Sequence, residues 1–168
     1  MPRQTKITLR NGTTTPSAGD FDVSEPAWDK TNSKLFIKNT AGSMVGINPD
    51  DVLVVACSDE ATAITSGPAK VTFRMPFTAT LVSVRACLTA ATTGTEMQID
   101  INETGTSVFN AGTATLRIDS GATTSVGATN AFVISDSSLA DNAVMTIDVD
   151  QVGTGAKGLK VYMYVRRT

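Results

Sequence analysis

The residues best spaced for chemistry are three aspartates, Asp100, Asp148 and Asp150. Paired carboxylates perform general acid and base work, and gathered carboxylates bind calcium. Each of these, however, alternates with Ile or Val, in Met97-Gln98-Ile99-Asp100-Ile101 and Val144-Met145-Thr146-Ile147-Asp148-Val149-Asp150. The period-two rule therefore puts them on the outward side of strands, as solvent-facing acids. Calcium sites gather their oxygens within one loop, whereas these acids are spread over two strands. The chain has no His and only two cysteines, Cys57 and Cys87, so the usual zinc and iron ligands are missing. The base that activates a nucleophilic serine is missing with them. A Ser-Lys pair is formally available, but no Ser-x-x-Lys opens a helix. The Gly-rich run Gly153 to Gly158 ends in Lys157-Gly158 but lacks the order of a phosphate-binding loop and a following helix, and reads as a hairpin connection between the last two strands. The expectation is no enzyme, with no catalytic residue, no cofactor and no metal.

Recognition is the remaining chemistry. Trp28, the only tryptophan, either fills a small core or anchors another chain, and Phe36 follows it closely in sequence. Tyr162 and Tyr164 share one side of a strand, where they form a sugar-stacking platform or pack across to a neighbouring strand. Arg166 and Arg167 either pair with acids of a neighbouring subunit or stand as a solvated basic end. Cys57 and Cys87 fall on different predicted strands and read as two buried thiols rather than a disulfide.

The elements that must position these groups are strands. The 168 residues suit one domain with a small appended module, and 41% apolar content supports a core that, with only 5% aromatics, is filled by aliphatic side chains and Met. A net charge of −2 without a basic run gives no source of phosphate neutralisation, so nucleic acid is not an expected partner. The longest apolar run, Val52 to Cys57, is far short of the ~20 residues of a membrane-spanning helix. Met1 to Arg10 lacks the form of a secretory signal, which makes synthesis in a cytoplasm the expectation.

Period-two alternation predicts strands over Val71–Met75, Leu81–Leu88, Met97–Ile101, Val144–Val149 and Leu159–Val165. Shorter candidates are Ser107–Phe109, Thr115–Ile118 and Phe132–Ser135, and Asp51–Cys57 joins them. Asn102 to Gly105 reads as a loop, and Ser137 to Asn142 is the one place for a single helical turn, with Ser137 as its cap. Turns at this spacing indicate a sandwich or barrel. Upstream, strands near Lys6–Leu9 and Lys34–Lys38 flank a polar stretch with Gly12, Pro16, Gly19 and Pro26. Asn48-Pro49-Asp50 breaks the pattern. The expected division is a small N-terminal attachment module, 1–49, and a β-sandwich domain, 50–168.

The run Gly12-Thr13-Thr14-Thr15-Pro16, with Trp28-Asp29-Lys30-Thr31-Asn32-Ser33-Lys34-Leu35-Phe36-Ile37 and Ala41-Gly42-Ser43, resembles a short module at the start of bacteriophage tail-fibre and related virion proteins. Phe36 stands where Tyr is frequent, and Glu25-Pro26-Ala27-Trp28 replaces a usual Gly-Glu-Leu-Ala run. Phe73-Arg74-Met75-Pro76-Phe77, Val84-Arg85-Ala86, Asp100-Ile101-Asn102-Glu103-Thr104-Gly105-Thr106-Ser107-Val108, Asp148-Val149-Asp150-Gln151-Val152-Gly153 and Gly158-Leu159-Lys160-Val161 resemble a β-rich domain of phage structural proteins.

The resemblance implies a virion location after assembly in the host cytoplasm, a jelly-roll-like antiparallel β-sandwich and a homotrimer. Shortness, the lack of catalytic groups and the small leading module make a capsid cement or head-decoration protein, bound to the major capsid protein or another virion protein, the expected function within that setting. The alternative is a short tail fibre or receptor-binding protein that recognises a cell-surface glycan. A hydrolase would need two acids set across a cleft. The interface candidates are Trp28, Phe36, Tyr162, Tyr164, Arg166 and Arg167.

Overall fold

A computed structural model describes residues 10–31, 34–47, 50–109 and 114–167. The chain forms two compact units, Met1–Pro49 and Asp50–Thr168. The expected strand at Lys6–Leu9 and the Asn48-Pro49 break lie outside the described residues.

The first unit is a four-stranded sheet in the order β1 (Arg10–Gly12), β2 (Pro26–Asp29), β3 (Lys34–Lys38), β4 (Met44–Gly46). β1 runs parallel to β2, and the other pairs are antiparallel. Strand β2 lies inside what reads from sequence as a polar separator. Its Pro26 occupies the first strand position, where a missing N–H is tolerated. Ala27 and Asp29 are buried, and the Asp29 carboxylate accepts the Thr31 N–H at 3.0 Å.

The second unit contains β5 (Asp51–Ala56), β6 (Gly67–Arg74), β7 (Ala79–Cys87), β8 (Met97–Glu103), β9 (Thr106–Ser107), β10 (Leu116–Ile118), β11 (Ser138–Leu139), β12 (Val144–Gln151) and β13 (Lys160–Arg167). One sheet has the order β10-β8-β12-β6, with the short β9 folded onto β8, and the other has the order β11-β7-β13-β5. From β5 to β8, and again from β10 to β13, the chain alternates between the two sheets, while β8, β9 and β10 stay in one. That is the order of a jelly roll, two interlocked Greek keys in a sandwich of antiparallel strands.

Alternation builds the interior. Met97, Ile99 and Ile101 of β8 and Met145, Ile147 and Val149 of β12 are buried on one sheet. Leu81, Val84 and Ala86 of β7 and Val161, Met163 and Val165 of β13 are buried on the other. Strand β7 keeps its apolar residues inward by a bulge. Tyr164 pairs with Ser83 and Val165 with Leu81, so Val82 is the extra residue and stands exposed.

Four expectations change. Gly153 to Gly158 is not a hairpin connection, because β12 and β13 belong to different sheets and the loop crosses the end of the sandwich. There it lies against the β7–β8 connection, with Thr154 bridged to Thr93 and Lys157 to Ala90. Ser137 to Asn142 forms strand β11 and a turn rather than a helical turn, since Ser138 pairs with Thr80 and Leu139 with Ala79. Phe132–Ser135 makes an isolated bridge between Ile134 and Phe109. Asn102 and Glu103 complete β8, and only Thr104 and Gly105, both at positive φ, turn the chain into β9.

Where the two crossing loops meet, the buried Thr92 hydroxyl accepts the Gly153 N–H at 2.8 Å and donates to the Thr95 carbonyl at 3.0 Å. A Cβ on Gly153 would lie 2.1 Å from the Thr93 carbonyl oxygen, which explains a glycine there. Thr92→Val keeps the shape but strands a buried donor and acceptor, and is expected to lower stability by about 1–3 kcal/mol in urea unfolding.

Candidate interaction surface

The two outer sheet faces differ in chemistry. On the β10-β8-β12-β6 sheet the outward positions are Arg117, Gln98, Asp100, Asn102, Thr146, Asp148, Thr72 and Arg74, aligned by strand register. Asp148 sits opposite Asp100. Its carboxylate accepts the Ala69 N–H at 2.7 Å and the Asn102 side-chain amide at 3.2 Å. Asp100 accepts the Ser107 hydroxyl at 2.6 Å and the Ile101 N–H at 2.9 Å. The acids do face outward, but Asp100 and Asp148 are half-buried and already hydrogen-bonded within the sheet. Among the described residues no group of three or more His, Cys, Asp or Glu is arranged to hold a metal ion.

On the β11-β7-β13-β5 sheet the outward row is Val52, Val54 and Ala56 on β5, Lys160, Tyr162 and Tyr164 on β13, and Ser83, Arg85 and Cys87 on β7. Tyr162 lies between Val54 and Arg85, and Tyr164 between Val52 and Ser83. Val52, Val54 and Val82 are 44%, 58% and 40% exposed. The tyrosines are held in place. The Arg85 guanidinium carbon lies 5.4 Å from the Tyr164 ring centroid, and the Tyr162 hydroxyl is 3.5 Å from Cys87 Sγ. That hydrogen bond raises the Tyr162 phenol above its ordinary value. Lys160 pairs with Glu60, which removes its charge as a free feature of the surface.

Arg166 and Arg167 are exposed but pair with acids of their own chain. Arg166 Nε lies 2.9 Å from Asp50 and Arg167 Nε 2.6 Å from Asp51. The Arg167 guanidinium also sits 3.9 Å from the Phe77 ring centroid. These contacts tie the end of β13 to the start of β5, and so fix the edge strand beside the tyrosines.

In the first unit Trp28 pairs with Leu35, and Phe36 with Ala27 and Gly46, so the two aromatic candidates lie on opposite sides of one sheet. Both are half-buried. Trp28 shares its side with Leu35, Ile37 and Val45 by register. A groove of about 530 Å³ lies beside Trp28, Phe21 and Arg10, but Arg10 is committed to Glu25 at 3.1 Å and to the Asp20 carbonyl at 2.5 Å. The groove presents no free charge from Arg10.

The Gly-rich crossing loop has no cradle to offer a phosphate. The N–H groups of Gly153, Thr154, Lys157 and Gly158 donate to Thr92, Thr93, Ala90 and Asp59. No helix among the described residues is long and apolar enough to cross a membrane. No protein-family model, curated protein or solved structure matches the chain.

The exposed valines escaped the sequence reading, although a signal was present. Val52 to Cys57 is a continuous apolar run rather than an alternating one, which is the pattern of a strand covered on both sides. Here it forms a sheet edge whose outer side is bare.

Cys57 faces inward and Cys87 outward, and β13 stands between their strands, about 10 Å across. That exceeds disulfide reach. Both thiols are free, and burial pushes Cys57 up to about 12. Iodoacetamide at pH 8 is therefore expected to leave Cys57 unmodified in the native protein and to alkylate both residues in denaturant, as read by intact mass. Two labels on the native protein would contradict this placement.

Partial burial, then the charges of Asp100 and Asp148, raise the Asp150 carboxyl above its ordinary value. A raised folded value means the folded state holds the proton more tightly, so stability is lost as pH rises through it. Asp150→Asn should stabilise the protein at pH 7 by about a few tenths of a kcal/mol, given solvent screening at an exposed site. The gain should vanish below about pH 3, where the carboxyl is protonated folded and unfolded alike.

Proposed function

We propose that the chain is a bacteriophage virion structural protein of the head-decoration kind, which binds the assembled shell as a homotrimer and acts by surface complementarity rather than by catalysis. The observation that carries this reading is the contrast between the two sheet faces: one polar and internally hydrogen-bonded, the other lined by Val52, Val54, Val82, Tyr162 and Tyr164. Contiguous exposed apolar side chains on a soluble domain mark a surface that meets another protein. Held aromatics are efficient anchors there because little side-chain freedom remains to be lost on binding. The sequence resemblance supplies the virion setting and the three-fold habit. A protein that binds the closed shell and not its dissociated parts stabilises the shell by mass action.

The glycan-binding alternative draws less support. Arg85 covers Tyr164, and Cys87 engages the Tyr162 hydroxyl, so the pair is not an open stacking platform.

Purified protein mixed at micromolar concentration with empty heads of its own phage should co-sediment with them and raise their dissociation temperature. Val82→Lys, at an exposed bulge position, should weaken binding at least ten-fold while leaving the melting temperature of the free protein within a few degrees. Absence of binding by the wild-type protein, or adsorption to host cells that a soluble glycan competes away, would overturn the reading.

A further inference from the structure

Among the described residues the edge strands of the sandwich are β6, β10, β11, β5 and the two-residue β9, and all but β5 are short or blunted. Strands β10 and β11 are three and two residues long. Strand β6 begins Gly67-Pro68, holds Gly67 and Ala69 at φ 147° and 45°, carries Lys70, and shifts register against β12. Short length, proline, lysine and bulges are the devices that keep a sheet edge from pairing with another chain. Strand β5 has none of them. It runs six residues, Asp-Val-Leu-Val-Val-Ala, in unbroken register with β13, and its one charged residue, Asp51, is paired with Arg167.

The backbone phase of β5 is defined. Cys57 N–H donates to the Leu159 carbonyl at 2.8 Å, so the odd-numbered residues of the strand direct their backbone groups towards β13. The N–H and C=O groups of Val52, Val54 and Ala56 therefore point away from β13, to the side where no described strand pairs. Beneath that edge runs a groove of about 430 Å³ between β5 and β6, lined by Leu53, Val55, Phe73, Arg74 and Pro76.

We infer that β5 pairs antiparallel with β5 of a second copy of this chain about a two-fold axis through Val54. In that register Val54 faces Val54 of the second copy as a hydrogen-bonded pair, and Val52 faces Ala56. The outward backbone groups of all three residues are then satisfied. Leu53 faces Val55 on the inner side, where the second copy closes the groove. Asp51 falls beyond the bonded stretch, whereas a slip of two residues would set its carboxylate against Val55. The contact is self-complementary and needs no charge to specify it, which favours a second copy over a foreign strand. The pairing goes beyond the shell-binding reading and is independent of it. It also joins two copies of the Val52, Val54, Tyr162 and Tyr164 surface into one.

Light-scattering mass measurement on the full chain separates the two contacts. A dimer or a hexamer is expected from the edge pair, the hexamer combining it with the three-fold contact. A monomer or a bare trimer would overturn the pairing, and the trimer would do so while leaving the three-fold reading intact. Val54→Lys, placed at the centre of the seam on a 58% exposed side chain, should halve the mass; an unchanged mass would overturn the proposal. Val54→Cys should be cross-linked by a short bis-maleimide at least five-fold more than Val82→Cys, which lies two strands from the seam. Equal yields would count against the register.

Discussion

In the second unit each long strand sends every second side chain into one shared interior, and this period-two constraint governs what remains outside. Because Met97, Ile99, Ile101, Met145, Ile147 and Val149 face Val161, Met163, Val165, Leu81 and Val84, the outward residues are set by the same count. A one-residue slip would exchange the two sets. The bulge at Val82 shows the constraint at work: an extra residue is extruded to the surface so that Leu81 and Val84 both stay inside. The outer row of Tyr162 and Tyr164 is thus a consequence of the core, and the valine beside it a consequence of the bulge.

The crossing loops close the sandwich under a second constraint, close backbone approach. Gly153 and Gly158 lie where a Cβ would meet Thr93 and Thr89 at 2.1 and 2.2 Å. The glycines that look in sequence like a ligand cradle are consumed in holding the β7–β8 and β12–β13 connections together. The Gly153 N–H donates to the Thr92 hydroxyl in the β7–β8 connection, and the Gly158 N–H to the Asp59 carbonyl between β5 and β6. At the other end, Arg166 and Arg167 pair with Asp50 and Asp51 and join the last strand to the first of this unit. These pairs are partly exposed, so they contribute alignment more than stability.

The long alternating strands were legible because alternation is a local pattern with one physical meaning. Strand β2 was not, since Pro26 and a four-residue length weaken the pattern, nor was β11, which exists only because Ser138 and Leu139 lie beside β7. Whether Gly153 to Gly158 turns back within a sheet or crosses between sheets depends on partners more than fifty residues away, and no local signal carries that. For the surface, Tyr162 and Tyr164 could be placed on one side by counting, and the structure puts them there. Arg166 and Arg167 could not be assigned partners, because Asp50 and Asp51 lie more than a hundred residues upstream. The exposed side of β5 was written in the unbroken run Val52 to Cys57, but only an edge position gives that run its significance.

On the proposed reading, the apolar face of the β11-β7-β13-β5 sheet is covered in the working assembly while the polar face of the other sheet is not. Hydroxyl-radical footprinting, applied to the free protein and to purified virions, measures this side chain by side chain. Protection of Val52, Val82, Tyr162 and Tyr164 in virions, with Thr72, Gln98 and Thr146 labelled as in the free protein, is the predicted result. Equal labelling of the tyrosines in both states, or protection confined to the polar sheet, would contradict it.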